Sequence, residues 1–208
     1  MHIAVDLYDA ENPKHQDFLR DCVYDESWRL MCGIPLNQGL PLFLSVEQFI
    51  LTRRQGARSA HVLGRIRQGL AGFVSIHIDP PFARLVGGAA PCLRGSMAAT
   101  LLYANTLRLV FLHAPSVSKI LIKTLAFNQP MRRLNEALGF KLEGIGRSEF
   151  YLSSQQAFCD LCRYGMFREE FHTPLSDRLL TKTDLAASPA LETQLARMDS
   201  RPCPENGK

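Results

Sequence analysis

The chain predicts a layered α/β domain, a central sheet with helices on both faces. Three observations point there. Strand-like and helix-like stretches follow the order strand, helix, helix, three strands, helix, strand, helix and further strands. The helix opening near Ser96 is apolar around most of its girth, with Met97, Leu101, Ala104 and Phe111 on one stripe and Ala98, Leu102 and Leu109 on another. A helix of that kind is covered on more than one side. Finally, Arg84 to Leu112 runs from a short apolar strand through a turn opening at Pro91 directly into that helix.

The elements read as follows. His2 to Tyr8 alternates apolar and polar residues as a strand, and Pro13 through Phe18, Cys22 and Trp28 has a helical pattern ending near Gly33-Ile34-Pro35. Ser45 caps a second helix through Leu51, stopped by Gly56. Ala60 to Ile66 and Leu70 to Ile78 form a hairpin across Arg67-Gln68-Gly69, and Pro80-Pro81 separates them from a strand at Arg84 to Ala90. The long helix from Ser96 ends at His113-Ala114-Pro115. Lys119 to Phe127, rich in β-branched and apolar residues, is a central strand. Asn128 caps a short helix with proline in its first turn and Gly139 at its end. Strands follow at Lys141 to Gly146, Phe150 to Leu152 and Phe158 to Phe167.

From His172 the composition turns to Ser, Thr and Pro, with five charges of each sign. The expected division is a domain over residues 1–171 and a partly disordered tail over 172–208, with one short helix at Leu191 to Met198.

Composition narrows the function. The 208 residues are 46% hydrophobic, enough for one good core, and no apolar run is long enough to span a membrane. Six scattered cysteines form no disulfide framework and point to a reducing, cytoplasmic setting. Cys159 and Cys162 have C-x-x-C spacing but sit on a strand, where residues three apart face opposite ways, so they read as ordinary thiols rather than zinc ligands. The net charge of +4 is unevenly spread. Residues 1–26 hold seven acids against two bases, and residues 53–147 hold fourteen bases against three acids, so the middle attracts anions.

The chemistry centres on the turn at Arg94-Gly95. A strand feeding a helix leaves the first helical N–H groups unpaired, and with the helix dipole they suit a phosphate-bearing ligand. No Gly-Lys-Ser/Thr ending is present to support a nucleotide-hydrolysing P-loop, and the Gly-x-Gly-x-x-Gly dinucleotide fingerprint is missing too.

Three stretches carry a family resemblance. Arg94-Gly95-Ser96-Met97-Ala98-Ala99 resembles the acyl-CoA pyrophosphate motif of the GNAT N-acetyltransferase superfamily. Asn128 to Gly144 is similar to the Asn-containing helix ending in Gly-Phe of its ribosomal-protein N-terminal acetyltransferase branch, and Asp160 to Phe171 looks like that branch's closing strand. The resemblance implies a mixed, mostly antiparallel sheet and acetyl-CoA as cosubstrate. It implies that the backbone of Ala89, Ala90, Pro91 and Cys92 pairs with the pantetheine arm. Leu93, Arg94, Gly95, Ser96, Met97, Ala98 and Ala99 would cradle the pyrophosphate, and Asn128 would hydrogen-bond the cofactor.

Amide groups near Ala90 are expected to polarise the thioester carbonyl. For proton transfer the first candidate is His77, which shares a strand face with Phe73, Ser75 and Asp79; Glu149 and Tyr151, near the sheet's end, are weaker ones. The implied acceptor is an amine of a protein N-terminus, a small molecule or a nucleobase. Three residues depart from the pattern. Met97 replaces the motif's first glycine, and Met131 and Asn135 stand where the resemblance places serine or tyrosine, neither being a useful acid. They support an alternative, an inactive GNAT-shaped protein that grips a partner through its tail.

Overall fold

In the computed structural model, residues 2–24, 56, 58–66, 69–152, 157–171 and 184–200 are described. Eight strands form one sheet: β1 (His2–Leu7), β2 (Ser59–Ile66), β3 (Gly69–Asp79), β4 (Phe82–Ala89), β5 (Lys119–Leu125), β6 (Lys141–Leu152), β7 (Ala157–Phe167) and β8 (Asp184–Ala187). Among the described residues four helices accompany them: α1 (Pro13–Tyr24), α2 (Met97–His113), α3 (Gln129–Ala137) and α4 (Pro189–Asp199). The expected helix from Ser45, and the extension of α1 towards Trp28, lie outside the described residues.

The strand order is β6-β7-β5-β4-β3-β2-β1-β8. Only β4 with β5 and β1 with β8 run parallel; the other neighbours are antiparallel. The mixed, mostly antiparallel sheet is the expected one, and β5 lies inside it.

Strand alternation assigns the faces. Gly64 and Gly72 pair across β2 and β3, and a Cβ at either would run into the Leu102 side chain of α2. Val62, Val74, Ile76 and Leu85 continue that face, and α2, α4 and the end of α3 close the core over it through Leu107, Leu191, Leu195, Met198 and Leu138. On the opposite face, His15 of α1 lies against Tyr8, which meets Phe73 edge-on.

The C-terminal end of α2 is closed by Arg168, whose guanidinium donates to the carbonyls of Phe111, Ala114 and Val117 and lies over the Phe111 ring.

Two readings change. Lys141 to Leu152 is one strand with register irregularities rather than two strands. Ser148 takes a positive φ of 53°, and its N–H is held by Asp160 at 2.9 Å, so the chain bulges without leaving the sheet. Residues 184–199, within the expected tail, also belong to the body. β8 pairs with β1 from His2↔Asp184 to Val5↔Ala187, and the expected short helix is α4, whose Leu191, Leu195 and Met198 are completely buried. Asn105 of α2 donates to the Ala186 carbonyl at 3.2 Å, and the Ser188 N–H to that of Val5 at 3.1 Å.

Candidate functional site

The strands β4 and β5 pair only from Phe82↔Lys119 to Leu85↔Ile122. Beyond that point β4 stays with β3 as far as Ala89, while β5 stays with β7 as far as Leu125. Two parallel neighbours thus part and leave a wedge. Along an antiparallel pair, successive residues turn their backbone groups to alternate sides. The Ala90 N–H donates to the Ala71 carbonyl at 2.8 Å, so Gly88 and Val86 also face β3. Gly87 and Ala89 therefore turn their N–H and C=O into the wedge.

This relocates two expectations. The Ala90 amide is already engaged by Ala71 and is not available to polarise a carbonyl. Residues Pro91–Leu93 form a 3-10 turn, with the Leu93 N–H on the Ala90 carbonyl at 2.9 Å, so Pro91 and Cys92 follow the end of the strand edge that Gly87 and Ala89 line. Gly87 was legible from the alternation along β4, but only once the partner of Ala90 was known.

The turn then enters α2. Gly95 has φ +72°, with open space where a Cβ would stand. Ser96 caps the helix: its Oγ accepts from the Ala99 N–H at 3.2 Å and donates to the Leu93 carbonyl at 2.6 Å. Among the described residues the N–H groups of Gly95, Met97 and Ala98 meet no acceptor. Met97 is 58% exposed, so its side chain does not seal the turn. Arg94 is half-buried and Cys92 is exposed.

Across the wedge, Asn128 caps α3. Its Oδ1 accepts from the Met131 N–H at 3.3 Å, while its Nδ2 is buried with no partner among the described residues.

No protein-family model and no curated protein sequence matches the chain. Solved structures do. The spermidine N-acetyltransferase of Vibrio cholerae in complex with CoA and spermine is similar at 16% identity and a TM-score of 0.63, over 83% of this chain and 99% of that one. Mycobacterium smegmatis RimJ in complex with CoA-disulfide matches at 16% identity and a TM-score of 0.63, over 79% of this chain and 82% of that one. The ribosomal-protein-S5-alanine acetyltransferase of Vibrio fischeri matches at 14% identity and a TM-score of 0.64, over 83% and 97%.

The chain has the GNAT acetyltransferase fold. Within this GNAT fold His77 and Glu149 lie on the sheet face opposite α2, whereas Tyr151, opposite Phe158, lies on the other. His77 is exposed, between Ser59 on β2 and Arg84 on β4, with its Nδ1 3.2 Å from Ser59 Oγ. One step along the same two strands the pair recurs reversed. His61, 5% exposed, has Nδ1 2.9 Å from Ser75 Oγ and stacks on Phe73. The sequence reading missed His61; the signal was its place opposite Ser75, visible only with the hairpin register known.

Glu149 is held by Arg163 at 2.7 Å and Lys123 at 3.1 Å, and these hydrogen bonds keep its carboxyl below the usual glutamate range. Tyr151 is exposed and meets Phe158 edge-on at 5.1 Å. The structure therefore does not bring His77, Glu149 and Tyr151 into one cluster: His77 is on β3, and the other two are on β6 at the far end of the strand order.

Tyr164 is another polar group the sequence reading passed over. Its hydroxyl donates to Glu136 at 2.9 Å and accepts from Arg132 at 3.3 Å, and burial pushes it above the usual tyrosine value.

The basic middle of the chain is partly neutralised in the fold. Asp6 pairs with Arg65, Asp79 with Arg58, Glu143 with Lys119, and Glu170 with Lys141. Among the described residues no helix is long and apolar enough to cross a membrane.

Proposed function

We propose that this protein is an acyl-CoA-dependent N-acetyltransferase that moves an acetyl group to a primary amine. The observation carrying this reading is the wedge between β4 and β5, which leads to an α2 N-terminus with Gly95 open and the Gly95, Met97 and Ala98 amides uncommitted. Backbone N–H groups at a helix start suit a diphosphate. The edge of Gly87 and Ala89 suits an extended amide-bearing arm, and the buried Asn128 Nδ2 supplies a donor opposite. Acyl-CoA brings the thioester; transfer forms a C–N bond, breaks the C–S bond, removes a proton from the amine and delivers one to sulfur.

In this reading His77, exposed and hydrogen-bonded to Ser59, takes the amine proton. Glu149 keeps Lys123 and Arg163 in place, and Tyr151 with Phe158 lines the far end of the sheet. The acceptor is a protein N-terminus, a small molecule or a nucleobase, and the setting is the cytoplasm. Acetyl-CoA at a concentration well above its Kd should raise the melting temperature. Mass spectrometry of a panel of amines then identifies the acceptor, and no shift at millimolar acetyl-CoA overturns the reading.

A second reading, a GNAT-shaped binding protein without catalysis, is favoured by one observation. Met131 and Asn135 on α3 carry no acidic proton, and the Glu149 carboxylate is tied to two cations. Binding of acetyl-CoA with no acetylated product from any amine would support it.

A further inference from the structure

The wedge closes where β4 meets β5, at Leu85↔Ile122. Both side chains lie in the core that α2 covers, at 2% and 4% exposed, so the apex is shut on that face. The next residue on each strand, Val86 and Lys123, points to the opposite face, and both are exposed. An extended arm laid inward along Gly87 from the α2 turn brings its far end to this apex. An acceptor then reaches it past Val86 and Lys123.

The side chains gathered there are mainly cationic. Lys123 lies opposite Arg163 on β7, and both hold the one carboxylate of Glu149 on β6, at 3.1 and 2.7 Å. Their side chains remain 58% and 54% exposed. Arg84, two residues before Val86 and so about 7 Å from it, stands on the same face of β4 beside Leu121 of β5. It is exposed, and its guanidinium has no hydrogen bond or ion pair among the described residues. Arg84, Lys123 and Arg163 thus face the single carboxylate of Glu149, and two positive charges are left for a ligand.

This balance disfavours one class of acceptor and selects another. A polyamine needs carboxylates to receive its ammonium groups, and here Glu149 is held by Lys123 and Arg163, Glu143 by Lys119, and Asp79 by Arg58. An acceptor bearing carboxylates meets the open guanidinium of Arg84 and the excess charge of Lys123 and Arg163. These cations stand on three strands, exposed, with Val86 and Leu121 between them. That spread suits an extended chain with several carboxylates better than one small dianion. Nucleic acid is served less well. Of the two exposed rings on this face of β4, β5 and β7, Phe167 already carries Lys119 at 4.8 Å, which leaves Phe82 with no second ring for a stacking row.

We propose that the acceptor amine is the free N-terminus of an acidic peptide, and that Arg84, with Lys123 and Arg163, selects it by receiving its carboxylates beside the wedge apex. This rests on the acyl-CoA reading above and adds to it the class of acceptor. Arg84 is a specificity residue: it touches the acceptor and takes no part in making or breaking bonds.

The test is acetylation, read by thiol release and mass spectrometry, of a hexapeptide with a free N-terminus and several acidic residues, of the same peptide with lysines in their place, and of spermidine. The acidic peptide should have a kcat/KM about tenfold above that of the lysine peptide at low salt, and added salt should narrow the gap. Arg84→Glu should lose about tenfold on the acidic peptide, chiefly through KM, and gain on the lysine peptide, while acetyl-CoA raises its melting temperature as it does for the wild type. A merely structural role of Arg84 would not produce that gain.

Equal kcat/KM for the two peptides, a preference for the lysine peptide or spermidine, or an Arg84→Glu variant that discriminates as the wild type does would each overturn the inference and leave the acyl-CoA reading standing. Stronger competition by a single-stranded oligonucleotide than by an N-terminally blocked acidic peptide would do the same. Acetyl-CoA binding with no product from either peptide overturns the inference too. No melting shift at millimolar acetyl-CoA overturns the acyl-CoA reading itself, and the inference with it.

Discussion

The side chain of Leu102 occupies the space that a Cβ at Gly64 would need. Gly72, across the strand pair, sits under the same leucine. Glycine at both positions lets α2 settle onto the sheet, and α2 carries the candidate phosphate turn at its start. Gly64→Ala should therefore force Leu102 out of a filled core and cost about 1–3 kcal/mol, read from urea unfolding. Adding Leu102→Ala should cost less than the two single changes summed, because the clash is then relieved.

Gly95 separates shape from charge. Its φ of +72° makes any side chain strained, but nothing stands within 4 Å of a Cβ there. Gly95→Ala should lower stability by about 1–2 kcal/mol and leave acetyl-CoA binding measurable. Gly95→Glu should abolish binding while the domain stays folded, since a carboxylate would face the diphosphate. Thermal melts with and without acetyl-CoA distinguish the two variants.

Glu149 gives a pH dependence with a definite sign. Arg163 and Lys123 hold its folded-state carboxyl below the usual glutamate value. The group contributes stability that is present above the unfolded value and is lost as pH falls through the folded one. Glu149→Gln should be less stable than the wild type at neutral pH. The gap should close on acidification, and added salt should narrow it because the group is exposed. Parallel denaturation curves at neutral and acid pH check this.

Residues 184–199 belong to the folded body, with β8 on the β1 edge and three completely buried side chains from α4. A chain ending at Phe171 should expose that edge and the core beneath α4, and so aggregate or lose its cooperative melt. Size-exclusion chromatography and circular dichroism would show it. A soluble truncated chain with a sharp transition would return the segment to the role of an appendage.

What could be read from the sequence was local. Ser96 and Asn128 announce helix starts because a short polar side chain can reach an amide three residues on, and both do so, at Ala99 and Met131. The Arg94-Gly95 turn and the Asn128 helix could likewise be matched to a GNAT pattern as short stretches. The polar composition after His172, by contrast, hid the strand β8, although it showed the helix that became α4. The support of β8 is a strand about 180 residues away, and no short window contains both partners.

The sequence by itself therefore determined where most of the described strands and helices lie, that Ser96 and Asn128 start helices, and that a strand and a turn lead into an apolar helix. Only the tertiary structure decided that β4 and β5 part after Leu85 and Ile122, that Ala90 spends its amide on Ala71, and that the side chains of Thr124 and Asn135 are buried without partners among the described residues. The physical reason is range. Periodicity and capping are settled among neighbours along the chain, whereas a gap in a sheet and an unanswered hydrogen bond exist only after distant segments have packed.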